Sequence, residues 1–152
     1  MSNRLKGFKF KIHTAFYFAD NLGYDAILVE GLNATTINFL VDGIPYIINI
    51  EDETEFINDL LEIKVDDWNN NGYIFFTEDA WSWNIELVYD DGIIVSGGFG
   101  SFPKNFPVFM DLLHEKYGLK YSKLDSDKKI KGKVRKFEWW SEETEIIPYR
   151  DL

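Results

Sequence analysis

The chain has 152 residues, no cysteine, 17% aromatic residues and a formal net charge of −10. That length suits one domain able to bury a core without cross-links, and the lack of cysteine excludes disulfides, thiolate metal sites and a cysteine nucleophile. The acidic balance opposes nucleic-acid phosphate, and no run approaches the roughly 20 apolar residues of a membrane helix, so neither nucleic acid nor membrane is an expected partner.

Arg4, Lys6, Lys9 and Lys11 open the chain without an uninterrupted apolar run behind them, which does not read as a signal peptide and leaves the cytoplasm as the expected location. From Phe8 every second position is taken by Phe8, Phe10, Ile12, Thr14, Phe16 and Phe18, with Lys9, Lys11 and His13 pointing the other way. That period predicts a strand with one buried face. Asp20 to Gly23 makes a turn, and 25–30 is a second short strand. Residues 37–41 and 44–50 flank Asp42-Gly43, a strong hairpin signal because both central residues of the favoured turn need positive φ. Pro45 cannot donate to a ladder and points to a sheet edge.

Asp52 to Glu55 opens a helix, with Asp52 as N-cap and Glu55 in the capping-box position. Phe56, Ile57, Leu60, Leu61 and Lys64 follow with helical spacing. The Asn69-Asn70-Asn71-Gly72 run ends that region, and 73–76 reads as a strand. Trp81, Trp83, Ile85, Leu87 and Tyr89 then alternate with Ser82, Asn84, Glu86 and Val88. With a two-residue turn at Asp91-Gly92, Tyr89 faces Ile94, Leu87 faces Ser96 and Ile85 faces Gly98. The small residues on the return strand leave room for the indoles of Trp81 and Trp83. A second helix follows Asn105 as N-cap, with Phe106, Phe109, Met110, Leu113 and Tyr117 as its stripe and Gly118 at its end. Residues 120–133 read as a basic loop, 134–140 as a last strand, and 141–152 as a loose acidic tail.

Charge is unevenly spread. Residues 12–115 hold nineteen Asp and Glu but only Lys64 and Lys104 as bases, whereas 116–136 hold nine Lys and Arg against Asp125 and Asp127. Such a distribution attracts a basic partner, unless the basic segment lies on its own acidic body.

Catalytic patterns are weak. His13 and His114 have no serine in a nucleophile setting, and His114 suits a helix C-terminus. The run Glu51 to Glu55 is explained as a capped helix start rather than a metal loop. Asp66-Asp67 and Asp90-Asp91 are neighbours that point apart on a strand or make a turn. Gly97-Gly98-Phe99-Gly100 lacks the phosphate-loop spacing. No catalytic residue, metal or cofactor is expected. The candidate binding surface consists instead of Trp81, Trp83, Tyr89 and Phe99 with Glu78 and Asp79, and of Trp139 and Trp140, because aromatics are favoured at binding hot spots.

Trp81-x-Trp83, Tyr89-Asp90-Asp91-Gly92, Gly97-Gly98, Phe102-Pro103-x-x-Phe106 and the amphipathic helix after them resemble a segment that recurs in small bacterial proteins, some similar to immunity partners of polymorphic toxins. The resemblance implies a non-enzymatic binding role and brings no catalytic residues.

The expected fold is α+β: one domain with an antiparallel, twisted sheet of about six or seven strands and two helices on one face. Its core includes Phe10, Ile12, Phe16, Phe39, Ile48, Phe56, Leu60, Trp83, Ile85, Leu87, Phe109 and Leu113. The leading functional expectation is an acidic module that binds a basic protein. The alternative is a ligand-binding domain or enzyme with a pocket between sheet and helices lined by Trp81, Trp83, Tyr89 and Phe99. A third is a subunit that dimerises through the edge near Pro45 or through Trp139 and Trp140.

Overall fold

A computed structural model describes residues 5–14, 26–30, 35–41, 44–75, 81–119 and 143–152. The elements are β1 (Leu5–Thr14), β2 (Ala26–Glu30), β3 (Thr35–Val41), β4 (Ile44–Ile50), α1 (Glu53–Ile63), β5 (Asn71–Ile74), β6 (Trp81–Tyr89), β7 (Gly92–Phe99), α2 (Phe106–Asp111) and β8 (Glu145–Pro148). The fold is α+β, with a mostly antiparallel but mixed sheet in the order β4-β3-β2-β1-β6-β7-β5-β8. The expected count of six or seven strands is too low by this order, and the expected all-antiparallel pairing fails at one place. There β5 runs parallel to β7, with Gly72 opposite Gly97 and Tyr73 opposite Gly98.

The alternation of β1 and β6 sets the core. Phe8 pairs with Leu87, Phe10 with Ile85 and Ile12 with Trp83, and all six side chains are buried while Lys9, Lys11 and Asn84 are exposed. Directly paired residues share a face. A register shift between Leu5 and Gly7 lets Leu5 also turn inward beside Tyr89. Both helices cover this one face. Phe56 of α1 meets Phe8 edge-on at 5.8 Å, and Phe109 of α2 lies 6.5 Å from Phe8 and 5.2 Å from Phe10.

Asp52 caps α1 by accepting a hydrogen bond from the Glu55 amide at 3.0 Å. The reciprocal half of the capping box is replaced. The Glu55 carboxylate instead accepts from Lys116 Nζ at 2.7 Å, and the Leu5 amide donates to Glu53 Oε1 at 2.8 Å. The helix ends at Lys64 in the left-handed region, φ 69°, and a 3-10 turn, Val65–Trp68, drops Trp68 into the core.

Asn105 precedes α2 as expected but does not cap it. Its amide reaches inward, accepting from the Trp68 indole at 2.9 Å and donating to the Ile63 carbonyl. After one and a half turns the helix widens to a π-helical turn, Leu112–Lys116. Gly118 at φ 81° ends it, with the Leu119 amide returning to the Leu113 carbonyl. The widened turn aims Tyr117 at α1, where its hydroxyl donates to Asp59 at 2.7 Å.

β3 and β4 pair with Val41 opposite Ile44 as the hairpin reading requires, and β4 is a terminal strand in the sheet order, as Pro45 suggests. Asp42-Gly43 itself, Phe16, the Phe39 side chain and the expected loop and strand over 120–140 lie outside the described residues. Other expected core members are buried: Phe10, Ile12, Ile48, Phe56, Leu60, Trp83, Ile85, Leu87, Phe109 and Leu113. The tail is a correction. Glu145–Pro148 pairs along β5, and the Tyr149 amide donates to the Asn70 carbonyl at 2.7 Å.

Candidate functional site

The register of the β6–β7 hairpin decides where the candidate aromatics go. Tyr89 pairs with Gly92, Leu87 with Ile94, Ile85 with Ser96 and Trp83 with Gly98. The turn is therefore Asp90-Asp91, not Asp91-Gly92, and neither aspartate has a positive φ. Trp83 consequently lies over Gly98, as the small return strand anticipates, but its indole is core. It stacks on Phe102 at 5.8 Å, meets Trp68 edge-on at 5.9 Å and donates to the Ser101 carbonyl at 2.8 Å. Phe99 pairs with Ser82, so it stands on the face opposite Trp83. Tyr89 shares the Trp83 face but sits six residues along the strand, about 20 Å away. The expected pocket of Trp81, Trp83, Tyr89 and Phe99 is thus not assembled. Trp81 opens β6 opposite Thr14. Its side chain, Glu78, Asp79, Trp139 and Trp140 lie outside the described residues.

Two other features emerge. The first is the end of the sheet where β1 begins and β6 ends. Tyr89 is buried there, and its phenol is pushed up to about 12, first by burial, then by the charges of Asp66 and Asp91. Both carboxylates therefore lie close enough to Tyr89 to act on it, although they come from the turn after α1 and from the hairpin tip. Glu53 reaches the same end through the amide of Leu5, the residue paired with Tyr89. Asp90 meets Lys6 at 3.5 Å, an exposed pair worth little in stability. Three chain segments thus deliver carboxylates to one place. The sequence shows each as a local cap, pair or turn; the Leu5–Tyr89 register brings Glu53 to the hairpin end, and Asp66 joins them only through its charge acting on the Tyr89 phenol.

The second feature is a shallow cleft of about 340 Å³ lined by Lys64, Asp67, Trp68, Tyr73, Pro103, Lys104 and Asn105. Burial raises the Tyr73 phenol, opposed by a hydrogen bond from Asn71 and assisted by Asp67.

No family model matches the chain, nor does any curated protein or solved structure.

Elsewhere, the carboxylates of the Glu51–Glu55 run turn to separate tasks: Asp52 to a cap, Glu53 to β1 and Glu55 to Lys116. His114 binds the Leu119 carbonyl through Nδ1 at 2.6 Å, which fixes that nitrogen as the protonated one and makes the ring a helix-end clasp. Lys116, the first residue of the basic segment, bridges Glu55 and Asp59 at 2.7 Å each. Its ammonium is held protonated above its usual range by Asp59 first and Glu55 next. No helix among the described residues is long and apolar enough to cross a membrane.

Proposed function

We propose that this chain is a non-enzymatic protein-binding module that engages a basic protein through the acidic end of its sheet. The observation that carries the reading is the convergence on Tyr89 of Asp66 and Asp91 with Glu53 and Asp90 beside them. The backbone that carries them is a paired strand end, a capped helix and the 3-10 turn after it, and Asp66, Asp90 and Asp91 are exposed to a partner. Lys6 is the cation that the described contacts place at this end. A field of one sign speeds encounter with the opposite sign and rejects like-charged proteins. The sharpest form of the reading is an immunity partner that neutralises a basic toxin, in line with the resemblance carried by residues 81–117.

The test is affinity capture from native lysate with the parent chain and with Asp66→Asn/Asp91→Asn. A basic protein retained at low salt should be released at high salt, and the variant should bind it about tenfold more weakly. Retention that ignores both salt and the variant would rule the acidic surface out.

A further inference from the structure

A short run of hydrogen bonds stops at the Tyr73 hydroxyl. The Asn71 side-chain amide donates to the Asp67 carbonyl and to the Tyr73 oxygen, each at 3.3 Å. A carbonyl only accepts, so the Asp67 bond fixes nitrogen at that position, and Asn71 offers the phenol hydrogens rather than a lone pair. Among the described residues no acceptor takes the phenol's own proton, although Tyr73 is only 5% exposed. Burial first keeps that proton in place, against the Asn71 bond and with help from the Asp67 charge. A buried donor without an acceptor is uncommon and costly. We infer that the cleft which Tyr73 lines binds a free α-amino acid with a modest apolar side chain. Its carboxylate accepts from the Tyr73 hydroxyl and faces the Lys64 ammonium, its own ammonium faces the Asp67 carboxylate, and its side chain lies against Trp68 and Pro103.

Two opposite charges stand at the same cleft. Lys64 and Asp67 both line it and both are exposed. Neither forms an ion pair with the other or with another described residue. Their spacing is set by backbone: Lys64 ends α1 in the left-handed region, Asp67 lies in the 3-10 turn that follows, and the Asp67 amide donates to the Lys64 carbonyl at 3.1 Å. Lys104 also lines the cleft but already holds an interaction of its own, and the seat does not use it.

These groups narrow the ligand class. A simple carboxylate would satisfy Tyr73 and Lys64 but would set its charge beside Asp67 with nothing between. A simple amine would pair with Asp67 but leave the Tyr73 proton without an acceptor. A phosphate dianion meets the same Asp67 charge twice over. A zwitterion answers all three groups at once. Trp68 and Pro103 are buried and give a firm apolar wall, and the Trp68 ring is held by its hydrogen bond to Asn105. The cleft's volume, about 340 Å³, lies at the small end of the roughly 300–1,000 Å³ typical of ligand sites, which suits an amino acid.

The experiment follows the Trp68 indole proton resonance, assigned with Trp68→Phe, during titration at neutral pH and constant ionic strength. The probes are L-leucine, isocaproate, which lacks the amino group, and isoamylamine, which lacks the carboxylate. Leucine should give a saturable shift, and each half-analogue should bind about tenfold more weakly or worse. Tyr73→Phe, Lys64→Gln and Asp67→Asn should each weaken leucine about tenfold, and Asp67→Asn should erase the preference for leucine over isocaproate. Tyr73→Phe removes a proton that no described residue accepts, so it should melt within about 3 °C of the parent. Absence of a saturable leucine shift, a half-analogue that binds as tightly as leucine, or parental leucine affinity in Tyr73→Phe would each overturn the proposal. A Tyr73→Phe chain that melts far below the parent would overturn it too, by showing that the fold itself holds that proton.

Discussion

At the scale of single residues, Gly98 is where packing is least forgiving. A Cβ there would lie 2.5 Å from Trp83 Nε1 and 2.6 Å from both the Ser101 and Tyr73 carbonyl oxygens. Two of those neighbours are backbone, and the third is an indole held by its own hydrogen bond, so none can yield cheaply. Gly98→Ala should cost about 3 kcal/mol in urea unfolding, whereas Gly92→Ala, which meets nothing within 4 Å, should change stability by less than about 0.5 kcal/mol. Equal effects would contradict the Trp83–Gly98 pairing. Tyr89 gives a pH signature. Its phenol ionises near 10 when exposed and near about 12 in the fold, because burial and then Asp66 and Asp91 disfavour the phenolate. Between those values the unfolded chain has lost the proton that the folded chain keeps. The stabilisation is therefore complete below pH 10 and lost as pH rises through about 12. Alkaline unfolding followed by circular dichroism should come later in Tyr89→Phe than in the parent, relative to each protein's stability at neutral pH.

Among the elements, the loop before α2 shows how one side chain can join two helices. The Asn105 amide accepts from Trp68 and donates to the last carbonyl of α1, so its loss strands a buried indole N–H and a helix-end carbonyl. Asn105→Ala should lower the urea unfolding free energy by about 2 kcal/mol; a change below about 0.5 kcal/mol would mean that these bonds hold nothing. The sequence shows Asn105 as a cap because position and residue type both suit one, but a deeper partner outcompetes the helix amides. The β6–β7 turn has a similar lesson. Asp91-Gly92 carries the local turn preference, yet the hairpin turns at Asp90-Asp91 and places Gly98 under Trp83. The anticipated pairing differs from the observed one by two residues, and a two-residue slip leaves every side chain on its own face. That is why the buried members of β6 are legible from alternation while their partners are not. The parallel β5–β7 pair is less legible still. β5 emerges from an asparagine run that looks like a terminator, but Asn69 accepts from the Val95 amide, the Asn70 amide donates to the Val95 carbonyl and the Asn71 carbonyl accepts from Ser96. Those long-range bonds have no periodic trace in sequence.

For the whole molecule, the question is where the basic segment 116–136 directs its charge. The sequence poses two answers, self-neutralisation or a surface left acidic for a partner, and composition cannot choose between them. Lys116 spans Glu55 and Asp59 on α1, so the first residue of the segment does neutralise its own body. The carboxylates gathered near Tyr89 come from Glu53, Asp66, Asp90 and Asp91, and the cation paired among them, Lys6, belongs to β1 rather than to that segment. The two answers have opposite signs under salt. A chain with net charge −10 whose acidic groups are mainly unneutralised repels itself, so screening favours the compact state. A chain clasped by its own basic segment loses that clasp when screened. The binding reading therefore predicts that the urea midpoint rises as sodium chloride goes from about 20 mM to about 300 mM, where the Debye length shrinks from about 20 Å to about 6 Å. Lys116→Gln should leave that rise in place, because its two partners, Glu55 and Asp59, are not among the four carboxylates near Tyr89. A midpoint that falls with salt in the parent, and falls less in a chain whose basic residues over 120–136 are changed to glutamine, would assign the basic segment to the acidic body and leave no surplus field for a partner.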